Sequence, residues 1–367
     1  MKKIIYIFVG ILYLGCSSEE VEVPPIIKDV SSFSIFNRTL ADEELVIAGS
    51  KELCLATAFQ RNLEDELLEF TPVNRRLPYI MEDQYGRLWD LFGRSDETTS
   101  TLTPTISSFG FWFGWSSLFP GIDLYNTSPL IPDRMPIGDQ EWAIPYEYVF
   151  TGANFDAIEG LVYPEFVVYN QKDDIKNGFF LQDEDQVIAV RDENNVRVYP
   201  HKILNYHEIV NDLVEGKDIA IIYSPFTSSS IVWDRNVNGR IETFGSSGMI
   251  YNNNILPFDR RTQSIWSQLL GECVNGFYKG ARPNLIPHIE TKWKIIKELY
   301  ENPLVLSPET GYDFDYQEYP FDDYQTNNDY LFATNLFYND GRLKRKEIVF
   351  GVAVEKEAIA YRLDDFR

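Results

Sequence analysis

Short runs of alternating hydrophobic and polar residues recur along the chain between turn-forming segments, and this pattern predicts a body built mainly from β-strands. Residues 196–199, which read Val-Arg-Val-Tyr, show the alternation of a half-buried strand. Asn238-Gly239 is a strong signal for a two-residue hairpin turn. Apolar residues three or four positions apart predict helices only over 203–214, 292–300 and 111–119. We therefore expect a β-rich α+β fold with a few short helices.

Parts of the chain resemble one another in an order that runs across its two ends. Residues 187–199 recur as residues 349–361 at a shift of 162 positions, and residues 219–244 match residues 45–70 at a shift of 174. Three further pairs extend the match: Asp259 with Glu82, Trp266 with Trp89, and Trp293 with Trp112.

One copy of this repeat runs unbroken over 185–306. The other copy is divided between the ends of the chain, because it begins at 347–367 and continues over 42–125. A duplicated fold explains such a circular order. We therefore predict a single internally duplicated domain over 35–367, with a pseudo-two-fold β-sheet body in which the C-terminal hairpin completes the N-terminal repeat.

The beginning of the chain predicts a lipoprotein signal peptide over 1–16. Two lysines precede an apolar run that is too short to span a bilayer comfortably. The run ends in Gly15-Cys16, which is similar to a bacterial lipobox, where the cysteine is acylated and becomes the first mature residue. An ordinary secretory signal with a chance cysteine is the alternative. We expect lipidation at Cys16 and a tether over 17–34, so that the lipid anchor holds the protein on a membrane.

The residues after Cys16 read Ser-Ser-Glu-Glu, which is similar to the acidic export signal of some bacterial surface lipoproteins. The aspartate that favours retention at the inner membrane is missing from the position next to the cysteine. We therefore expect an outer-membrane lipoprotein of the cell envelope. Whether it faces outward stays open.

Charge and composition narrow the classes of partner. The chain has 33 Lys and Arg residues against 56 Asp and Glu residues, for a net charge of −23. Such a surface repels phosphate backbones, so we expect no nucleic-acid partner. Aromatic residues are 15% of the chain, and aromatic side chains suit surfaces that bind sugars or peptides. A glycan or a protein is therefore the expected partner.

Five motifs carry a resemblance to a known family: 203–212, Val232-Trp233-Asp234-Arg235, 244–248, 258–262 and 264–268. On these motifs residues 197–304 resemble the domain-of-unknown-function family 3179. Members of that family usually carry a Cys-Pro-Leu-Cys stretch where this chain has Ser224-Pro225-Phe226-Thr227. Hydroxyl groups do not replace thiols in metal or disulfide chemistry, so any activity that needs those thiols is expected to be lost. If the cysteines of the family only pair structurally, their replacement changes nothing functional. The resemblance implies a fold family and no reaction.

Patterns for metal ions and for catalysis are incomplete. His207 and Asn211 have the spacing of a zinc-binding helix, but an asparagine is a poor zinc ligand. Asp234 begins a calcium-like loop in which Gly245 takes the place of the required acid. An acidic, tyrosine-rich segment over 311–337 is better explained as a solvated loop. We expect no metal and no cofactor, and no residue is assigned a catalytic role.

The candidate binding site is a set of polar residues from the family-like block, with a structural polar core of the repeat as the alternative. The leading hypothesis is a non-catalytic envelope lipoprotein that binds a ligand or a partner. The rival is a hydrolase-like or metal-dependent enzyme that uses a polar cluster around two of these residues, His207 and Asp259, and a purely structural role is third. The seven candidate residues are His207, Asn211, Asp234, Arg235, Asp259, Thr262 and Gln268.

Overall fold

The computed structural model describes residues 32–97, 99–170, 178–330, 332 and 336–367. The predicted signal peptide with Cys16, and nearly all of the predicted tether, lie outside the described residues. Strands far outnumber helices in the described part, so the prediction of a β-rich α+β fold is confirmed. No helix there is long and apolar enough to cross a membrane.

The N-terminal part of the chain forms ten strands and one helix. In chain order these are β1 (Ser34–Leu40), β2 (Glu43–Ser50), β3 (Leu55–Gln60), β4 (Asn62–Leu63), β5 (Glu66–Leu67), β6 (Phe70–Pro72), β7 (Tyr79–Asp83), β8 (Leu88–Asp90), β9 (Ile106–Phe111), α1 (Trp112–Leu118) and β10 (Asp123–Leu124). A connecting region follows, with the 3-10 turn Tyr146–Tyr148 and the strands β11 (Val149–Thr151), β12 (Leu161–Val162) and β13 (Phe166–Val168).

The rest of the chain repeats this succession. Its elements are β14 (Gln186–Asp192), β15 (Asn195–Pro200), α2 (His201–His207), β16 (Ile209–Val214), β17 (Lys217–Ser224), β18 (Ser229–Asp234), β19 (Asn236–Val237), β20 (Arg240–Ile241), β21 (Phe244–Tyr251), β22 (Asn254–Asp259), β23 (Ile265–Ser267), β24 (Glu272–Asn275), β25 (His288–Lys292), α3 (Trp293–Leu299) and β26 (Leu304–Leu306). The C-terminal hairpin consists of β27 (Ile348–Val354) and β28 (Glu357–Arg362), and it ends in the 3-10 turn Leu363–Asp365.

Two sheets of the molecule share one topology. The first has the order β10-β28-β27-β9, and the second has the order β26-β15-β14-β25 with β13 added at its edge. The strand β10 runs parallel to β28, and β26 runs parallel to β15. The remaining pairs, which are β28–β27 and β27–β9 in the first sheet and β15–β14 and β14–β25 in the second, are antiparallel. The register agrees as well, because Val349 faces Gly110 as Val187 faces Thr291.

The smaller sheets follow the same order in both halves. The sheet β1-β2-β3 corresponds to β16-β17-β18, which β12 extends at one edge, and the hairpin β4-β5 corresponds to β19-β20. The sheet β6-β7-β8 corresponds to β21-β22-β23, which β11 and β24 extend at its two edges. We call β27–β28 together with β1–β10 the first unit, and β14–β26 the second unit. Because β27 pairs with β9, the C-terminal hairpin belongs to the first unit, in agreement with the circular order of the sequence repeat.

The repeat alignment is wrong by one residue at Asp259. Phe244 faces Asp259 across β21 and β22, and the equivalent Phe70 faces Asp83 across β6 and β7. The counterpart of Asp259 is therefore Asp83, not Glu82. An alignment without gaps misses this because the turn that follows β22 is one residue longer than the turn that follows β7.

The helix predicted over 203–214 is wrong in its second half. Helix α2 ends at His207, and residues 209–214 form β16 instead. Glu208 has a φ of 56°, which a right-handed helix does not allow, so the chain turns there into an extended conformation. The other two predicted helices are present as α1 and α3.

Most of the tryptophan surplus lies in the core. Six of the seven tryptophans are fully buried. Two equivalent pairs are among them, Trp112 with Trp293 and Trp89 with Trp266. The tryptophan content of the chain therefore reflects the packing of two similar units and does not by itself mark a binding surface.

Candidate functional site

Arg235, one of the seven predicted site residues, holds the segment that follows β18 in place through hydrogen bonds. Its backbone amide donates to the Asp218 carbonyl at 2.9 Å, and its Nε donates to the Glu242 carbonyl at 2.6 Å. Both units form this arrangement, and we therefore assign Arg235 to the framework of the fold. In the first unit the equivalent Arg61 donates through its amide to the Glu44 carbonyl at 2.9 Å and through its guanidinium to the Leu68 carbonyl at 3.0 Å.

Asp259 and Thr262 close the turn at the end of β22. The Asp259 carboxylate accepts hydrogen bonds from the Thr262 amide at 2.7 Å and from the Trp266 indole at 3.2 Å. In the first unit Asp83 accepts from the Trp89 indole at 2.9 Å. Asp259 is fully buried and surrounded by protein donors, so its geometry is that of a structural carboxylate.

His207 is buried at the end of α2 with both ring nitrogens occupied. Nδ1 lies 2.7 Å from the Glu159 carbonyl oxygen, and Nε2 lies 2.6 Å from the Tyr316 hydroxyl. Burial lowers the pKa of His207, so the ring is neutral at physiological pH. Neither nitrogen is free to meet a ligand.

Asn211 and Asp234 also serve backbone groups. The Asn211 side chain exchanges two hydrogen bonds of 2.9 Å with the backbone of Phe244, which joins β16 to β21. The Asp234 carboxylate accepts from the backbone amide of Asn236 at 2.8 Å. These contacts order strands and turns, and the structure does not bring the two side chains to a common pocket.

Gln268 belongs to a buried network of amides and hydroxyls. Its Oε1 accepts from Asn254 at 2.6 Å and from Ser229 at 3.0 Å. Asn254 also donates to the Thr227 hydroxyl at 3.0 Å. Thr227 ends the Ser224-Pro225-Phe226-Thr227 stretch, and its hydroxyl completes a structural network.

A cavity of about 590 Å³ lies between the two units, and we call it the axis cavity. Its volume falls within the range that suits a small organic ligand. None of the seven predicted site residues lines it. Five pairs of equivalent positions line it instead, which places the cavity on the pseudo-two-fold axis: Cys54 with Ser228, Phe109 with Glu290, Lys346 with Glu184, Ile348 with Gln186, and Leu363 with His201.

The two walls of the axis cavity differ in chemistry. The first unit contributes Phe109, Ile348 and Leu363, and the second unit places Glu290, Gln186 and His201 at the same positions. The backbone is alike on both sides, because Cys54 and Ser228 share a positive φ, of 47° and 49°. At these three positions one wall is apolar and the other polar, although the strands that carry them are equivalent, whereas Lys346 and Glu184 place a charged group on each wall.

His201 and Glu290 face each other on the polar wall. His201 begins α2 and contacts the Tyr223 ring at a centroid distance of 4.3 Å. Its Nε2 lies 3.4 Å from Oε1 of Glu290, while Oε2 of Glu290 accepts from the Ser230 hydroxyl at 2.6 Å. Burial raises the pKa of Glu290 to about 8 and lowers the pKa of His201 to about 3. Both groups are uncharged near neutral pH, so the contact is not an ion pair.

Two residues that line the cavity each have a buried polar atom without a hydrogen-bond partner among the described residues. The atoms are Nε2 of His201 and Oδ1 of Asn205. His201 and Asn205 are only 7% and 8% exposed. Buried polar atoms are nearly always paired in folded proteins, so two unpaired atoms on residues of one cavity indicate that a ligand or water pairs with them.

The acidic groups at the rim of the cavity are paired with lysines, and Lys346 is held by an aromatic ring and an amide oxygen. Lys202 pairs with Asp185 at 2.6 Å, and Glu184 pairs with Lys292 at 2.5 Å. Lys346 places its Nζ over the Tyr324 ring, 3.3 Å from the centroid. Desolvation lowers the pKa of Lys346 to about 8.

No group of three or more metal-ligating residues occurs among the described residues. Cys54 and Cys273 are both free thiols. The calcium-like segment that begins at Asp234 forms the hairpin β19–β20, in keeping with the Asn-Gly turn. The cavity therefore offers hydrogen bonds and apolar surface rather than a ligand set for an ion.

The residues on the polar wall were missed because they lie far apart in the sequence and belong to no motif. His201 and Glu290 were not among the candidates. The signal that identifies them is a difference between the repeats, since Leu363 and Phe109 occupy the equivalent positions. A comparison that looks only for matching residues passes over such positions.

The comparisons with known proteins identify the family. The family model described as "Protein of unknown function (DUF3179)" matches residues 156–367, which include the second unit, the C-terminal hairpin and the polar wall of the axis cavity. No curated protein and no solved structure matches the chain. The resemblance inferred from the sequence motifs is confirmed, and the chain belongs to the family of proteins of unknown function DUF3179.

Proposed function

We propose that this protein is a membrane-anchored envelope lipoprotein that binds a small organic ligand in the axis cavity and does not catalyse a reaction. The signal peptide and Cys16 support the anchor, and the acidic residues after Cys16 support the outer membrane as its location. The cavity supports the binding role because it combines a suitable volume with unpaired polar atoms.

The observation that carries the proposal is the contrast between the two walls. The first unit shows that Phe109 and Leu363 fit at positions where the second unit has Glu290 and His201. Burying a carboxyl group and an imidazole costs free energy that apolar side chains avoid. Residues that weaken the fold without a structural reason are typical of binding sites.

The enzymatic alternative has less support. It was based on His207 and Asp259, and protein groups occupy the hydrogen-bonding atoms of both. The framework bonds of Asp259 also recur at Asp83 in the first unit. The polar cluster around these residues therefore fits a structural role better than acid–base chemistry.

The binding role is tested by the small molecules that the purified protein carries. Wild-type protein and the variant Ile348→Trp are incubated with envelope extract, washed and denatured, and the released compounds are identified by mass spectrometry. Ile348 lines the cavity and is 38% exposed, so tryptophan fits there and fills the space. Ile241→Trp is the matched control, because Ile241 is 49% exposed and does not line the cavity.

We expect wild type and the control to release the same compound, and Ile348→Trp to release at least about ten-fold less of it. Equal release from all three proteins, or no release from wild type, would contradict a ligand in the axis cavity.

The anchor is tested separately by cell fractionation. We expect wild-type protein in the outer-membrane fraction and Cys16→Ser in the soluble or uncleaved precursor fraction, because the acyl chains supply the membrane affinity. Ser17→Ala is the control, and it should remain at the membrane. Salt-resistant outer-membrane attachment of Cys16→Ser protein that lacks its signal peptide would exclude lipidation as the anchor.

A further inference from the structure

We propose that the ligand of the axis cavity is an uncharged ring molecule with several hydroxyl groups, of the kind found in a sugar unit of a glycan. This inference rests on the proposed function, because it names the class of ligand for the same cavity. Three features of the cavity lead to it: the pairing of its charges, the position of its unpaired polar atoms, and its apolar wall.

The charges around the cavity argue against a charged ligand. Asp185 and Glu184 already have lysine partners, and the Lys346 ammonium lies on the Tyr324 ring and contacts Asn327 at 3.0 Å. A cationic ligand would lose its hydration without gaining a free carboxylate, and an anionic ligand would meet Lys346, whose ammonium already donates to Tyr324 and Asn327. The net charge of −23 adds repulsion for anions.

The polar atoms fit hydroxyl groups. Oε1 of Glu290 and Nε2 of His201 lie 3.4 Å apart and make no hydrogen bond to each other. A hydroxyl between them accepts from one group and donates to the other, and it does so in either tautomer of the imidazole. Oδ1 of Asn205 accepts from a second hydroxyl.

The opposite wall fits the apolar face of a ring. Phe109 and Phe111 contribute aromatic surface, and Ile348 and Leu363 contribute aliphatic surface. A sugar ring presents C–H groups on its faces and hydroxyl groups around its edge. Such a molecule covers the apolar wall with one face while its edge satisfies the polar wall.

Calorimetry with named probes tests the class of ligand. D-glucose, D-galactose, N-acetyl-D-glucosamine and maltose are the uncharged probes, and D-gluconate and D-glucosamine are charged molecules of similar size. We expect at least one uncharged probe to bind with a Kd below about 1 mM and the charged probes to bind at least about ten-fold more weakly. Failure of all four uncharged probes at this threshold would overturn the assignment.

Two variants test the role of the polar wall. Glu290→Gln keeps an uncharged donor and acceptor, so we expect the Kd of the bound sugar to stay within about three-fold of wild type. His201→Leu introduces the residue found at the equivalent position 363, and we expect at least about ten-fold weaker binding because the hydroxyl loses its partner. A loss of binding in Glu290→Gln would indicate a cationic ligand and contradict the inference.

The failure of this inference differs from the failure of the proposed function. If a charged probe binds and Ile348→Trp abolishes that binding, the cavity is a binding site but its ligand is not an uncharged polyhydroxy ring. If wild type binds no probe and also releases no compound from envelope extract, both proposals fail. Sugar binding that Ile348→Trp leaves unchanged would place the sugar elsewhere and also contradict the inference.

Discussion

Single positions of the second unit can be compared with the equivalent positions of the first unit. Leu363 shows which side chain the fold accepts at position 201, whereas Arg61 shows that the fold retains an arginine at position 235. Replacing His201 by Leu removes an unpaired buried nitrogen, and replacing Arg235 by Leu leaves Asp218 without its buried partner. The two changes should therefore affect stability in different ways.

We expect His201→Leu to leave the free energy of unfolding unchanged or to raise it by about 1 kcal/mol. Arg235→Leu should lower it by about 3 kcal/mol, because a buried ion pair loses one member. Urea unfolding measures both values. Equal destabilisation by the two variants would show that His201 belongs to the framework rather than to a site.

Glu290 should make stability depend on pH. Its pKa is raised from the ordinary value of 4.5 to about 8 by burial, so the folded state holds a proton that the unfolded state releases. This contribution to stability is complete below pH 4.5 and is lost as the pH rises towards about 8. Glu290→Gln cannot lose a proton and should remove the effect.

We therefore expect the stability of Glu290→Gln relative to wild type to increase by about 1 kcal/mol or more between pH 4.5 and pH 8. Thermal or urea unfolding across this range measures the change. Glu355→Gln, at an exposed turn position, is the control and should follow the wild-type curve. Parallel curves for wild type and Glu290→Gln would show that Glu290 is ionised in the folded protein.

Turns show how far individual elements can be derived from the sequence. The Asn-Gly signal predicts the hairpin β19–β20, and Asn238 and Gly239 both have positive φ values, of 51° and 82°. A Cβ added at Gly239 would meet no neighbouring atom within 4 Å, so only backbone strain opposes a side chain there. We expect Gly239→Ala to lower the free energy of unfolding by about 1 kcal/mol.

The equivalent hairpin β4–β5 provides the control for this prediction. Asp65 occupies the position equivalent to Gly239 and does not have a positive φ. Asp65→Ala should therefore change the free energy of unfolding by less than about 0.5 kcal/mol. If Gly239→Ala proves equally mild in urea unfolding, the positive φ carries no measurable cost.

The failures of the sequence-based prediction have physical reasons. Ile203 to Val214 has helical spacing, yet the same residues also suit a buried strand, and only the backbone turn at Glu208 decides between them. The place of the C-terminal hairpin in the first unit was accessible, because two copies of one pattern imply it. The site was not, because Glu290 lies on β25 and His201 on α2, and tertiary pairing alone brings them together.

At the scale of the whole molecule, the two units share the order of their equivalent strands but differ in connectivity. In the second unit Asn205 and Glu208 are separated by two residues, and the equivalent positions of the first unit are Arg367 and Ser34. The Ser34 hydroxyl donates to the Arg367 carbonyl at 2.8 Å, so these two residues lie side by side. A short linker between them would give the first unit the connectivity of the second.

We expect a circular permutant that begins at Pro129, joins Arg367 to Ser34 through a two-residue linker and ends at Ser128 to fold into the same structure. Ser128 and Pro129 are both exposed, and exposed loops tolerate new termini. The midpoint of thermal unfolding of the permutant should lie within about 8 °C of the midpoint of the unpermuted protein that begins at Ser34.

A control permutant with its termini inside β17, between Ala220 and Ile221, should not fold, because both residues are fully buried in a strand that pairs on two sides. If neither permutant unfolds cooperatively, the order of the units along the chain, and not their shared topology, determines whether the protein folds.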